Sequence, residues 1–196
     1  FNGFFEVKFV VNQLDGGGGY DGTRPGTVDG AGTVTQAGYL ATMINGSTSL
    51  INTLKIFQNG KVVYEGNNLF LSTHVKSLIE YSGDYARSIA SSEFFHIDSS
   101  NVASKENFGY GERLNATINN KEVSCIIPLN RYSFFKSLET NMLPPSQIII
   151  EVTLTDDNVL IYKTAATENA RVVVTKFNLW IPRMIFNSAG LSYVMK

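Results

Sequence analysis

The dipeptide Asn59-Gly60 constrains the fold of this chain more than any other feature of its sequence. Both residues tolerate a positive φ, and the pair is the strongest short-range signal for a tight turn between two antiparallel strands. The flanking runs, Leu50–Phe57 and Lys61–Tyr64, are short and rich in apolar residues, and the first alternates well. The sequence therefore predicts a β-hairpin from Leu50 to Tyr64.

Runs of aromatic and β-branched residues predict three further long strands, at Phe4–Val11, Gln147–Thr155 and Arg171–Ile181. In the first of these strands Phe5, Val7 and Phe9 share one face, which is typical of a sheet with one buried and one solvated side. Trp180, the only tryptophan, falls in the last strand and is expected to fill the core.

One segment changes clearly to a helical period. Leu71, Val75, Leu78 and Ile79 recur at spacings of three and four, which predicts an amphipathic helix over Leu69–Tyr81. Shorter helical pieces are predicted in Tyr85–Ser92, Leu129–Met142 and Asn187–Val194.

The other segments are predicted to be a strand at Phe94–Ile97, a loop at Asp98–Tyr110, and a second hairpin of Arg113–Ile118 with Lys121–Ile127. The glycine-rich stretch Asp15–Gly32 lacks the lysine and the strand-to-helix context of a phosphate-binding loop, so we interpret it as a surface loop. About eight strands with helical insertions predict an all-β fold, an eight-stranded jelly-roll β-sandwich forming a single domain over residues 1–196.

Composition argues against several classes of function. The net charge is −1 and no run of Lys or Arg occurs, which is atypical of a dedicated nucleic-acid-binding protein. No window approaches the roughly 18 apolar residues of a membrane span. Charged residues make up only 17% of the chain, which suits a surface that faces neighbouring subunits as well as it suits a lone β-domain.

Candidate catalytic and metal-binding residues are few. Cys125 alternates with Val123 and Ile127, the pattern of a buried thiol, and no base is placed to activate it. His74 and His96 lie in separate segments, whereas a cupin-like enzyme needs several histidines around its metal. We therefore expect no enzyme activity, no cofactor and no metal site.

A binding module is the alternative that the residues leave open, because jelly rolls also serve as lectin or carbohydrate-binding domains. Such sites use an exposed aromatic platform beside acidic residues or calcium. Trp180 lies within a strand with no acidic cluster near it in sequence, and Asp156-Asp157-Asn158 is better interpreted as a turn than as a calcium loop.

Several stretches carry, in order, a resemblance to a known family. They are the strand, Asn-Gly and strand of Ile51–Val63; Leu78-Ile79-Glu80-Tyr81-Ser82; Ile127-Pro128-Leu129 with Phe134-Phe135 and Leu143-Pro144; and Arg171–Ile181 before Pro182-Arg183. Together they resemble the first jelly roll of double jelly-roll major capsid proteins, most closely the capsid-like proteins of Polinton/Maverick elements, adintoviruses and virophage relatives. Full chains of that family are much longer, so this domain would match their N-terminal half.

The resemblance implies a structural protein that self-assembles into a viral or virus-derived shell, located in the virion and assembled inside the host cell. Its partners would be copies of itself, as a trimer or larger array, and other capsid proteins, with no sequence-specific nucleic acid. Aromatic residues and arginine dominate interface cores, and on this basis the interface candidates are Tyr81, Tyr85, Tyr110, Arg131, Tyr132, Phe134 and Phe135. Core packing is the alternative for Phe134 and Phe135. Replacing Arg131 and Tyr132 together by alanine is expected to weaken assembly without unfolding the protein.

Overall fold

The computed structural model describes residues 3–14, 27–28, 34–35, 41–101, 107–117, 120–138, 146–162 and 169–182. Within these ranges the strands are β1 Phe4–Leu14, β2 Thr27–Val28, β3 Val34–Thr35, β4 Thr42–Met43, β5 Ile51–Gln58, β6 Lys61–Gly66, β7 Val123–Pro128, β8 Ile148–Leu154, β9 Ile161–Tyr162 and β10 Asn169–Trp180. The α-helices are α1 Leu69–Glu80, α2 Gly83–Arg87, α3 Phe108–Thr117, α4 Ser133–Ser137 and α5 Asp157–Leu160. Short 3-10 helices cover Ser47–Leu50, Ile89–Glu93 and Leu129–Arg131.

Antiparallel sheets dominate the described part of the chain, which confirms the prediction of an all-β architecture at that level. One three-stranded sheet has the order β10-β1-β7 and the other has the order β6-β5-β8, while β2-β3 and β4-β9 form two-stranded ribbons. The first and last long strands are neighbours, since Val7 pairs with Phe177 of β10 and with Cys125 of β7. Connections therefore run between the sheets as well as within them.

The hydrophobic core lies between the two three-stranded sheets. Phe5, Val7 and Phe9 of β1 are buried, as their shared face predicted, and they join Leu54 and Ile56 of β5 in one cluster. Burial of large apolar side chains of this kind contributes roughly 1.5–3 kcal/mol each, so the alternation in these two strands is a major determinant of the fold.

The predicted hairpin around Asn59-Gly60 is confirmed. Asn59 has a φ of 49° and Gly60 a φ of 78°, and Gln58 pairs directly with Lys61 across the turn. Glycine and asparagine tolerate this left-handed conformation better than other residues, which is why the dipeptide identified the turn. The strands predicted at the N-terminus, at Gln147–Thr155 and at Arg171–Ile181 are also present, as β1, β8 and β10.

Three predictions between Phe94 and Ile127 are wrong, in whole or in part. The segment expected to be the first strand of a second hairpin is instead part of helix α3, and the preceding loop ends where that helix begins, at Phe108. The buried side chains of α3 include Tyr110, Arg113, Leu114 and Thr117, which follow a helical period. Arginine and threonine occupy two of these positions, so the period was not visible as an apolar stripe.

The short strand expected at Phe94–Ile97 is absent as well, and these residues are described as irregular structure. Phe94 has a φ of 54°, which is incompatible with an extended strand. Its ring is nevertheless buried and contacts Phe9 edge-on, with 5.2 Å between the ring centroids. The glycine-rich stretch lies mostly outside the described residues but includes the short strand β2, and Asn187–Val194 lies wholly outside them.

Trp180 does not fill the core, contrary to expectation. Its side chain is 53% exposed, and its register partner in β1 is Phe4. Directly opposed residues of antiparallel strands share a face, and Phe4 lies on the face of β1 opposite to the buried Phe5. Alternation along β10 therefore directs Trp180 outward, three residues after Phe177, which packs against the core.

Candidate interaction surface

Helix α1 packs against the body of the protein through small polar side chains. Leu69, Thr73 and Ser77 are its buried residues, and they face the 3-10 helix Ser47–Leu50 and strand β5. The Thr73 hydroxyl donates to the Leu69 carbonyl at 2.6 Å and the Ser77 hydroxyl to the Thr73 carbonyl at 2.9 Å. Because these hydroxyls are satisfied within the helix, they can be buried without the cost of an unpaired polar group.

Four apolar side chains of α1 lie on the opposite side and face solvent. Leu71 is 57% exposed, Val75 44%, Leu78 57% and Ile79 78%, and we call these four residues the α1 stripe. A residue two positions along a helix is rotated by about 200°, so the face that holds residues 71 and 75 points away from the face that holds residues 69 and 73. The helix is amphipathic as predicted, but its apolar face is directed outward.

This orientation is the reverse of the usual one, in which a surface helix buries its apolar stripe. Scattered exposed apolar residues are ordinary, whereas a contiguous apolar patch marks a surface that contacts another molecule. His74 helps to hold the orientation, since its Nδ1 lies 3.0 Å from the Asn45 carbonyl oxygen. The α1 stripe is therefore the strongest candidate for an interaction surface in the described part of the chain.

An aromatic and charged cluster adjoins the C-terminal end of α1. The hydroxyls of Tyr81 and Tyr85 both donate to the buried carboxylate of Glu93, and the bond from Tyr85 measures 2.6 Å. The Arg131 guanidinium lies over the Tyr81 ring, 4.2 Å from its centroid, and Arg131 Nη1 lies 2.6 Å from Glu80 Oε2. These contacts connect the end of α1 to two separate segments and give the adjoining surface a defined shape.

The titration of the two tyrosines reflects this environment. Burial, reinforced by the hydrogen bond to Glu93, raises the pKa of Tyr85 to about 12 and raises the pKa of Tyr81 further. Both phenols are thus protonated donors at any physiological pH. The cluster has the chemistry of a stable structural contact rather than of a general base.

The seven interface candidates divide into three residues at the end of α1, one half-buried phenylalanine and three buried residues. Tyr81, Tyr85 and Arg131 meet in the cluster at the end of α1; the two tyrosines remain partly accessible, whereas the Arg131 side chain is only 8% exposed. Phe134 is half-buried, with its ring centroid 5.2 Å from that of Phe135. The remaining three candidates belong to the interior, because they are buried within the chain itself; they are Tyr110, Tyr132 and Phe135.

The burial of Tyr132 corrects the expectation for the paired alanine substitution at Arg131 and Tyr132. Truncating a fully buried aromatic side chain costs roughly 3–5 kcal/mol, so the fold would not be left intact. The capsid resemblance implies an interface role for the helix Leu69–Tyr81 as a whole, but the four residues of the α1 stripe are not among the interface candidates named from the sequence. The signal that could have distinguished them is the row of small polar residues, Thr73 and Ser77, on the opposite face.

Side chains with catalytic or ligand-binding potential occupy structural positions. His96 donates its backbone N–H to Asn45 Oδ1 at 2.8 Å, so both histidines contact Asn45. Among the described residues no group of three His, Cys, Asp or Glu side chains could hold a metal ion. Burial raises the pKa of the Cys125 thiol to about 12, and its Sγ lies 3.7 Å from the Val7 carbonyl oxygen.

Comparison with protein-family models, curated proteins and solved structures gives no match for this chain. Over the residues described, no helix combines the length and the apolar character that crossing a membrane requires.

Proposed function

We propose that this chain is a structural, self-assembling, capsid-type protein that forms a viral or virus-derived shell through copies of itself. The outward-facing α1 stripe is the observation that carries the proposal, because it offers an apolar surface with a rigid, tyrosine-rich border. The occupant of this surface is a second copy of the chain. Lys76, Glu80 and Arg131 pair with one another at the side of α1 that carries Leu69 and Thr73, so these charges lie away from the stripe and leave it an uncharged surface that suits a second copy.

The size of the stripe favours many weak contacts over one strong one. Fully burying a large aliphatic side chain contributes roughly 1.5–3 kcal/mol, so covering four that are about half exposed contributes roughly 3–6 kcal/mol per copy. Two copies that cover each other gain about twice as much, and association costs at least about 4 kcal/mol in lost freedom. The net of at most about 8 kcal/mol corresponds to micromolar binding or weaker. The α1 stripe supplies one such contact per copy, so a closed shell needs further contacts on each subunit, and several weak contacts together are stable where an isolated pair is not.

The jelly-roll assignment is part of the same proposal. Strand β10, the last described strand, lies beside β1, the first. In a Greek key the fourth strand likewise returns through a long connection to lie beside the first, so this pairing supports the assignment. A stiff two-sheet scaffold with helices at its surface loses little conformational freedom on assembly. The ordered resemblance to the first jelly roll of double jelly-roll capsid proteins adds the expected location, the virion, with assembly inside the host cell.

The test compares two valine-to-aspartate substitutions at helical positions of nearly equal exposure. Val75 in the α1 stripe is 44% exposed and Val159 in α5 is 42% exposed. Val75→Asp places a charge in the proposed contact and should lower the association constant, obtained from the assembled fraction at several concentrations, by at least about tenfold, since an unpaired charge at a contact costs well over 1.4 kcal/mol. Val159→Asp should assemble like the unmodified protein.

Sedimentation velocity at several concentrations gives the assembled fraction, and circular dichroism confirms that both variants are folded. Equal assembly of the two variants would contradict the proposal that copies meet through the α1 stripe. Dispersal of both variants into monomers would show that assembly does not depend on α1 specifically and would contradict it as well.

A further inference from the structure

The outer face of the sheet β10-β1-β7 carries a row of ring-bearing side chains. Phe4 pairs with Trp180 on one side and with Pro128 on the other, so the three side chains lie in one row across three strands. The rings of Phe4 and Trp180 are stacked, with 6.3 Å between centroids and 22° between planes. We call this row the Trp180 platform. The platform lies on the side of the sheet that faces away from the core, where Trp180 is 53% exposed.

The tryptophan ring is held in place by its neighbours. Trp180 Nε1 donates to Glu6 Oε2 at 3.0 Å, and Lys176 Nζ donates to the other carboxylate oxygen at 2.9 Å. These hydrogen bonds, Lys176 first and Trp180 second, lower the pKa of Glu6, so the carboxylate is ionised at neutral pH. A ring fixed in this way loses little freedom when a ligand stacks on it.

Hydrogen-bonding groups follow directly next to the platform. The adjacent row contains Glu6 opposite Asn178, and the row beyond contains Lys8 opposite Lys176. Each lysine is paired with a carboxylate, since Lys8 Nζ lies 3.2 Å from Glu122 Oε2 and Lys176 is bonded to Glu6. The face therefore combines an aromatic surface with donors and acceptors, and its two positive and two negative charges cancel.

We propose that this face binds neutral saccharides. A pyranose ring has an apolar face that can stack on an aromatic ring and a rim of hydroxyls that both donate and accept hydrogen bonds, which matches the platform and the polar rows beside it. The balance of charge disfavours nucleic acids and sulfated glycans, because polyanion binding depends on an excess of Lys and Arg. The site is distinct from the α1 stripe and adds a function to self-assembly.

The position of Trp180 makes a direct test possible, because it is the only tryptophan of the chain. A printed array of neutral oligosaccharides identifies the best ligand, which is then titrated in solution while tryptophan fluorescence is recorded. Stacking should shift the emission to shorter wavelength and protect the ring from quenching by acrylamide. Absence of binding to every neutral oligosaccharide, or binding only to heparin and other sulfated glycans, would overturn the inference.

Variants separate this site from the assembly surface. Trp180→Ala should weaken binding, measured by calorimetry, by at least about tenfold, as expected for the loss of a stacked apolar contact. Trp180→Phe keeps a ring at the position and should retain part of the affinity. Val75→Asp should disrupt assembly yet bind saccharide as the unmodified protein does. Undiminished binding by Trp180→Ala would refute the assignment of the site.

Discussion

Arg113 provides the sharpest test of how the helical insertions are attached to the sheets. The residue is fully buried, and its guanidinium donates to the carbonyl oxygens of Met43 and His96, each at 3.2 Å. The same group forms a two-oxygen contact with the Asp98 carboxylate, at 3.1 and 3.3 Å. One arginine thus connects α3 to β4 and to the segment that contains His96 and Asp98.

Substituting Arg113→Met removes the charge and the donors but keeps a long, flexible side chain in the space. Removing one partner of a buried ion pair costs roughly 3–5 kcal/mol. The lower end applies here, because the Asp98 side chain is 32% exposed and can be solvated when the arginine is lost. We therefore expect a loss of about 3 kcal/mol in the free energy of unfolding, a large part of the roughly 5–15 kcal/mol that a native domain has in total.

Urea unfolding followed by circular dichroism measures this loss. With a slope of roughly 2–3 kcal/mol per molar urea for a chain of this size, the midpoint should fall by about 1–1.5 M. The matched control is Arg171→Met, because the Arg171 side chain is 67% exposed and its ion pair with Asp157 Oδ2 is long, at 3.9 Å. This substitution should change the free energy of unfolding by less than about 0.5 kcal/mol. Equal midpoints for the two variants would refute the role assigned to Arg113.

Three further predictions address pH, thiol reactivity and backbone packing. Burial, and then the charge of Arg113, lower the pKa of His96 below its ordinary 6.5, so the unfolded chain binds this proton more readily than the native protein. The free energy of unfolding should therefore fall as pH decreases below about 6.5. His96→Gln should make the urea midpoint depend less on pH between pH 7 and 5. The same pH dependence in this variant and the unmodified protein would contradict the prediction. Cys125, with its pKa raised to about 12, should react with a thiol reagent at pH 8 only after unfolding, and rapid native labelling would show that it is accessible. Gly109→Ala should lower the free energy of unfolding by about 1–3 kcal/mol, because the added Cβ would lie 2.6 Å from the Ile97 backbone. Gly83→Ala is the control, since its Cβ would meet nothing within 4 Å. Similar melting temperatures for the two variants would contradict the close approach at Gly109.

Elements whose signals are local could be predicted from the sequence. Asn59-Gly60 requires a conformation that few other residues adopt, so it identified the hairpin without knowledge of the rest of the chain. The alternation of Phe5, Val7 and Phe9 likewise identified the buried face of β1. In both cases the deciding physical property, a backbone angle or a two-residue period, is contained within a few consecutive residues.

Features that depend on tertiary packing could not be predicted in this way. Helix α3 was missed because Arg113 occupies a buried position that is apolar in most helices and is stabilised there only by Asp98 and two carbonyl groups from distant segments. Trp180 was expected in the core because of its size, but the register of β10 against β1 places it on the outer face beside Glu6. The hydrogen bond between Trp180 and Glu6 joins residues 174 positions apart in sequence. No local sequence motif can indicate a contact over that separation.

Only part of the candidate interface could be predicted from the sequence, because the rest depends on tertiary packing. Tyr81 and Arg131 lie 50 residues apart in sequence, and the structure brings them together over a distance of 4.2 Å. The outward direction of the α1 stripe depends on the fit of Thr73 and Ser77 against the body of the protein. Periodicity identifies which residues share a face of a helix, but only packing determines which face is buried.

The mass of the unmodified protein in solution tests the central proposal most directly. Light scattering over a range of concentrations, with negative-stain imaging of the same samples, should give masses that rise well above the 21.6 kDa of one chain and regular particles. The weak contact through the α1 stripe predicts that these particles dissociate on dilution. A mass of one chain at every concentration would contradict the proposal that this protein builds shells from copies of itself.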